Sequence, residues 1–143
     1  MKSLKGLVFS IACFLMIANL YGQHGKENFS NCAAAFLNQN MMVDEYSTTG
    51  KCVINAAAKG ELTVRPAEMT DAKTVKAGEK IPFKIAIRDG NSKTLMLFSD
   101  KTYKEIALQE VLSHCKKGDY IVLLTLEREW ALPHSEILVH ATQ

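Results

Sequence analysis

Residues 81–99 read IPFKIAIRDGNSKTLMLFS, and this stretch decides the fold class. Apolar and charged side chains alternate from Phe83 to Arg88, which is the pattern of a strand with one buried face. The Asp-Gly pair that follows supplies the chemistry of a tight turn, and an apolar run, residues 95–98, comes after it. We therefore predict a β-hairpin here and a β-rich domain around it.

Two stretches have the periodicity of amphipathic helices instead. In residues 29–40, FSNCAAAFLNQN, apolar side chains recur at helical spacing after Ser30, a residue that caps helix N-termini well. In residues 108–115, apolar side chains stand at positions i, i+3, i+4 and i+7, and Gly118 follows as the usual residue past a helix end. Each stretch is predicted to form a helix.

The remaining pattern consists of strands. Residues 52–64 alternate around Lys59 and Gly60 and predict a hairpin. Residues 120–126, YIVLLTL, are apolar on both faces and predict an interior strand, and residues 137–141 predict the last strand.

The predicted class is thus α+β: a mostly antiparallel β-sheet or two-sheet sandwich of about six strands, with an N-terminal helix and one amphipathic helix before the penultimate strand. The alternative is a β-sandwich in which residues 28–40 are irregular.

The N-terminus has the layout of a secretory signal peptide. Lys2 and Lys5 precede an apolar run, residues 6–17, that ends in small or polar residues. The YGQ ending resembles the signal peptides of exported proteins in Gram-negative bacteria. With cleavage after Gly22, we predict a signal peptide at 1–22, a single β-rich globular domain at 23–143, and a periplasmic or secreted location. No stable transmembrane segment is expected after cleavage, because the run is shorter than the roughly 20 residues a spanning helix needs.

Cys13 offers an alternative for the same segment. The sequence SIAC loosely resembles a lipobox, in which a cysteine after a small residue carries a lipid anchor. Residues 14–20 after it are apolar where a lipoprotein tether is polar, so lipid anchoring is disfavoured.

The charge balance bears on the class of partner. The chain has 17 basic and 15 acidic residues, and cleavage removes Lys2 and Lys5 without removing an acidic residue. The mature chain is then nearly neutral, and no basic stripe is interleaved with aromatic residues. Nucleic acid is therefore not predicted as a partner.

Cys32, Cys52 and Cys115 remain after cleavage, in what would be an oxidising compartment. We predict a disulfide between Cys32 and Cys115, because it would fasten the N-terminal helix and close a long loop. Pairing of Cys52 with either of the other two stays open as the alternative.

No catalytic motif is present in the sequence. His114 precedes Cys115, but successive helical side chains point about 100° apart and make a poor catalytic pair. His134, Glu136 and His140 form H-x-E-x-x-x-H, whose donors suit zinc, yet a strand would place the last two roughly 13 Å apart. Neither a catalytic residue nor a metal or other cofactor is predicted.

Residues 128–136, REWALPHSE, carry the one binding hypothesis. They place Trp130, Leu132, Pro133 and His134 in the predicted connection between the last two strands, where the sheet does not require apolar residues. Exposed aromatics in loops act as anchors for partners. The alternative is that Trp130 folds back over the end of the core.

Two functions follow from these features. The first is an exported, non-enzymatic binding or assembly domain whose partner is another envelope or extracellular protein, as in an accessory component of a secretion system. The second is a small periplasmic enzyme or inhibitor with a site near Trp130, His134 and Glu136.

Overall fold

The computed structural model describes residues 31–71 and 74–141. In chain order its elements are β1 (Asn31–Leu37), β2 (Asn40–Met41), β3 (Val53–Asn55), β4 (Glu61–Asp71), β5 (Thr74–Ala77), β6 (Phe83–Arg88), β7 (Leu95–Leu97), β8 (Ile106–Ala107), α1 (Leu108–Leu112), β9 (Tyr120–Thr125), β10 (Trp130–Ala131) and β11 (Glu136–His140). The prediction of a β-rich domain is confirmed. The α+β class is wrong, because the helical content of the described residues is one helix of five residues.

The strands form two sheets. The first runs in the order β10-β1-β4-β5, with β2 also paired to β1 and β8 to β4. The second runs in the order β3-β11-β9-β6-β7. Most neighbours are antiparallel; β1 with β10 and β3 with β11 are parallel.

Both sheets contribute side chains to one hydrophobic core. Alternate residues of β4, β6, β9 and β11 point into it, as the two-residue period of a strand predicts. Its fully buried members come from the first sheet, the second sheet and α1, and they include Leu62, Val64, Phe83, Ile85, Leu108, Val111, Ile121, Leu123, Ile137 and Val139.

The predicted N-terminal helix is a strand. β1 pairs with β4 through five consecutive residue pairs, from Ala33 opposite Pro66 to Leu37 opposite Leu62. Ala33 to Phe36 are all buried, so both faces of this strand are covered. A strand covered on both faces loses the two-residue alternation, and its alanine-rich run then matches helical spacing equally well. The irregular segment considered as the alternative for residues 28–40 is not found over β1 either.

The second helix is present but short. α1 spans Leu108–Leu112 and buries Leu108, Val111 and Leu112, the stripe that the spacing indicated. It ends well before Gly118, which instead turns the chain into β9 with a φ of 88°.

The hairpin predicted for residues 52–64 does not form. β3 belongs to the second sheet and β4 to the first, so the connection through Gly60 crosses between sheets. Gly60 adopts a φ of 144° at that crossing, and its carbonyl accepts a hydrogen bond from the Leu108 amide at 2.8 Å.

The β6–β7 hairpin is held at its turn by Asp119. One carboxylate oxygen of this buried residue accepts from the Gly90 amide at 3.0 Å, and the other accepts from the Lys116 amide at 2.7 Å. The two backbones meet so closely that a Cβ on Gly90 would lie 2.2 Å from the Gly118 carbonyl oxygen. Only glycine fits at that point of the turn.

No helix in the described part of the chain has the length and apolar character needed to cross a bilayer. The predicted signal peptide at 1–22 and Cys13 lie outside the described residues.

Candidate functional site

A groove of about 860 Å³ opens at the β3 end of the second sheet. We call it the His134 groove. Its walls and floor include Tyr46, Val53, Tyr120, Pro133, His134 and Leu138.

One wall is the segment that leads into β3. Val43 forms an isolated antiparallel bridge with Cys52, and the Asp44 amide donates to the Lys51 carbonyl at 3.1 Å. The Asp44 carboxylate accepts from the Lys51 amide at 2.7 Å, and this hydrogen bond lowers the pKa of Asp44. Residues 43–52 therefore fold back on themselves beside the start of β3.

Two aromatic rings connect this wall to the opposite wall, which contains Pro133 and His134. The rings of Tyr46 and His134 meet edge to face, with their centroids 5.5 Å apart. The Tyr46 hydroxyl donates to the Ala33 carbonyl at 3.1 Å, which ties the wall to β1. Burial, with a smaller contribution from the nearby Cys32 thiol, raises the pKa of Tyr46, so its hydroxyl stays a neutral donor.

The floor of the groove is the outer face of the second sheet. Val53, Leu138 and Tyr120 lie side by side on β3, β11 and β9. Arg88 stands next in this row, with its guanidinium carbon 4.6 Å from the centre of the Tyr120 ring. Its Nη2 donates to the Glu136 carboxylate at 2.5 Å, so the charge of Glu136 is compensated within the sheet. The floor is thus apolar and aromatic, with one ion pair at its border.

The residues of the predicted binding loop are divided between two places. Pro133 and His134 line the groove, as does Glu136. Trp130 and Leu132 are half-buried and pack against the core. Trp130 lies on β10, opposite Asn31 of β1, and not in a loop.

The three described cysteines are free, and no disulfide is at bonding distance. The predicted Cys32–Cys115 bond is not formed, since Cys32 is exposed on β1 rather than on a helix that needs fastening. The Cys115 thiol donates instead to the Val111 carbonyl at 3.4 Å. The Cys52 thiol lies 4.0 Å from the His134 carbonyl oxygen, to which it donates.

The two enclosed thiols are poor nucleophiles. Burial, aided by the negative charge of Asp44, raises the pKa of Cys52 to about 11, and burial with the charge of Asp119 does the same for Cys115. Reactive cysteines need a lowered pKa, because the thiolate is the nucleophile. His114 does not activate Cys115, since its Nδ1 lies 3.0 Å from both the Ser113 hydroxyl and the Glu110 carbonyl.

The H-x-E-x-x-x-H donors do not converge. Glu136 and His140 occupy opposite ends of β11, and the Glu136 carboxylate is taken by Arg88. Among the residues that the structure describes, no group of three or more histidine, cysteine, aspartate or glutamate side chains could hold a metal ion.

Sequence reasoning missed the floor and one wall of the groove. Tyr46 carried no signal, since it stands alone in a polar stretch. Tyr120 and Leu138 could have been found from the sequence, because β9 and β11 have apolar residues on the outward side as well as the inward side. Only the inward side is needed for the core, so the second apolar side marked an exposed surface.

No protein-family model matches this chain, and neither a curated protein nor a solved structure matches it.

Proposed function

We propose that the protein is an exported, non-enzymatic binding or assembly domain whose His134 groove holds a segment of another envelope or extracellular protein. An accessory role in a bacterial envelope apparatus, such as a secretion system, fits this proposal. The observation that carries it is the apolar floor: Val53 is 50% exposed beside Tyr120 and Leu138, where the fold does not require apolar side chains. Such a cluster is characteristic of protein contact surfaces.

The lining of the groove defines the chemistry of the bound segment. Tyr120 and Tyr46 present aromatic surface, which is enriched where binding energy concentrates in interfaces. Lys51 brings a positive charge to the rim, whereas Glu136 is already paired with Arg88. We expect the segment to insert an apolar or aromatic side chain over Val53 and to carry an acidic residue near Lys51.

The enzyme or inhibitor alternative has less support. Of its three nominated residues, Trp130 packs against the core, and the Glu136 carboxylate is held by an ion pair. The one thiol in the groove, Cys52, has its pKa raised to about 11 and is protonated at neutral pH. These features favour binding over covalent chemistry in the groove.

A site-specific cross-link tests the proposal on the full chain in its own cells. A photo-reactive phenylalanine analogue replaces Val53 in one variant and Leu126 in the control, since the two side chains are 50% and 49% exposed. We expect a discrete adduct from position 53 and none from position 126. The position-53 adduct should disappear when Tyr120→Ala is added, with thermal unfolding as a check that the variant folds.

Equal labelling at both positions, or no adduct at position 53, would contradict groove binding. Export is tested separately by cell fractionation, where we expect a mature form that begins near Gln23 outside the cytoplasm. Full-length protein confined to the cytosol would remove the envelope part of the proposal and leave the groove unaffected.

A further inference from the structure

Among the strands that the structure describes, β7 forms an unpaired apolar edge on the side of the second sheet away from the His134 groove. It is the last strand in the order β3-β11-β9-β6-β7. All three of its side chains are exposed: Leu95 by 54%, Met96 by 64% and Leu97 by 55%. Natural sheets usually protect an edge with a charge, a proline or a covering segment, and β7 carries no charge and no proline.

The backbone of this edge has a defined hydrogen-bonding pattern. Phe98 donates to Ile85, and Asp89 donates to Thr94, both at 2.9 Å. Antiparallel pairs alternate between bonded and non-bonded, so Met96 exchanges bonds with Ile87 while the backbone groups of Leu95 and Leu97 point away from β6. Two N–H and two C=O groups therefore face outward along the edge.

The turn holds this edge in place without a partner. Asp89 accepts hydrogen bonds from the Asn91 and Ser92 amides at 2.8 and 2.7 Å, and Asp119 anchors the Gly90 amide from below. The strand is thus already in the conformation that pairing requires, which lowers the entropic cost of association.

The edge is complementary to itself. A two-fold axis at Met96 would set a second β7 antiparallel to the first, with Leu95 of each copy opposite Leu97 of the other. Those are the residues whose backbone groups face outward, so the four bonds of two bonded pairs would form. Directly opposite residues share a face, so the exposed leucines of the two copies would cover one another on the outer side.

The charges next to the edge agree with this register. Counting outward from Met96 places Lys93 of one copy opposite Ser99 of the other and beside its Asp100. All three side chains are polar, and the two charged ones, Lys93 and Asp100, have opposite charges and are exposed. No like charges face each other within the strand itself.

From this self-complementarity we infer that β7 pairs with β7 of a second copy, which joins two five-stranded sheets into one continuous sheet. This interface goes beyond the proposed groove function and does not depend on it. Because the groove lies at the opposite edge, the dimer would leave both grooves open, roughly 40 Å apart at the usual strand spacing.

Sedimentation equilibrium of the mature chain tests the inference, with Leu97→Lys as the variant and Leu126→Lys as the matched control. Both leucines are exposed, by 55% and 49%, but Leu126 lies off the edge. We expect the wild type and Leu126→Lys to reach dimer mass below about 1 mM. Leu97→Lys should need at least a tenfold higher concentration, because each lysine would replace a leucine that faces Leu95 of the other copy, and the two like charges would be diagonal neighbours on one face.

Amide exchange of the unmodified protein gives a second readout that no folding defect can obscure. The Leu95 and Leu97 amides should exchange at least tenfold more slowly in the dimer than in dilute solution, while the Met96 amide, already bonded to β6, changes little. A wild type that stays monomeric near 1 mM overturns the inference. So does a dimer in which those two amides remain unprotected, or one that Leu126→Lys disrupts equally.

Discussion

The second sheet ends in two strands of equal length and opposite character, β3 and β7. Each has three residues. The middle residue of β3, Ile54, is 6% exposed, and Cys52, which precedes the strand, is buried and bridged to Val43. The middle residue of β7, Met96, is 64% exposed, and no described strand pairs with its outer side. The fold packs one end strand into the core and borders it with a groove, while the other end strand is exposed along its whole length and left available for pairing.

The difference between the two edges should be largest in their contributions to stability. Ile54→Ala should lower the free energy of unfolding by about 3 kcal/mol, because it leaves a cavity in the core. Met96→Ala should change it by less than about 0.5 kcal/mol, the usual range for an exposed side chain. Urea denaturation in dilute solution measures both. Equal losses would mean that β7 belongs to the core as much as β3 does.

A substitution in β10, the edge strand of the first sheet, should lower the free energy of unfolding by an amount between these two values. Trp130 is half-buried against the core, so Trp130→Ala should cost about 2 kcal/mol of unfolding free energy. The adduct formed from position 53 should persist in this variant. A Trp130→Ala protein of unchanged stability that loses the adduct would restore Trp130 as a binding residue, as the sequence hypothesis has it.

The β6–β7 hairpin could be predicted from sequence because its information is local. The alternation from Phe83 to Arg88 reports one buried face, and the Asp-Gly pair specifies the turn. β1 could not be assigned, because Ala33, Ala34 and Ala35 are all buried and their small side chains fit a helix or a doubly covered strand alike. Long-range pairing with β4 decided between the two.

The candidate site was predicted in part for a related reason. Pro133 and His134 stood out locally, as apolar and aromatic residues in a supposed connection. Tyr46 contacts His134 only because residues 43–52 fold back beside the start of β3. Nothing in the sequence around Tyr46 indicates that contact. The disulfide prediction failed because it depended on the N-terminal helix that β1 replaces.

The covered edge should also protect its cysteine. Cys52 directly precedes β3 and is buried, with its pKa raised to about 11, whereas Cys32 is exposed on β1. Near pH 8 we expect alkylation of Cys32 to be at least tenfold faster than that of Cys52, because the thiolate reacts and access is limited. Mass spectrometry of partly labelled protein measures the ratio. Comparable rates would show that residues 43–52 do not shield Cys52.

The smallest expected effect is a pH dependence in residues 43–52, the segment that folds back before β3. The hydrogen bond from the Lys51 amide lowers the pKa of Asp44. The ionised carboxylate therefore stabilises the fold of residues 43–52 at pH values above the ordinary pKa of aspartate. The contribution is lost as the pH falls through the lowered value, below about pH 4. We expect the Lys51 amide shift in NMR spectra to titrate in that acidic range and to stop titrating in Asp44→Asn. A midpoint above about pH 4 would contradict the hydrogen bond.

A cross-link at the centre of the open edge tests the contrast between the two edges most directly. The two-fold pairing places Met96 opposite Met96 of the second copy in a non-bonded pair, with Cα atoms about 4.5 Å apart, within the reach of a disulfide. In a background of Cys32→Ser, Met96→Cys should form a covalent dimer on mild oxidation much faster than Leu126→Cys, a control position that is also exposed, by 49% against 64% for Met96. If the two variants cross-link at the same slow rate, β7 is an exposed edge without a partner copy, and pairing between two copies is contradicted.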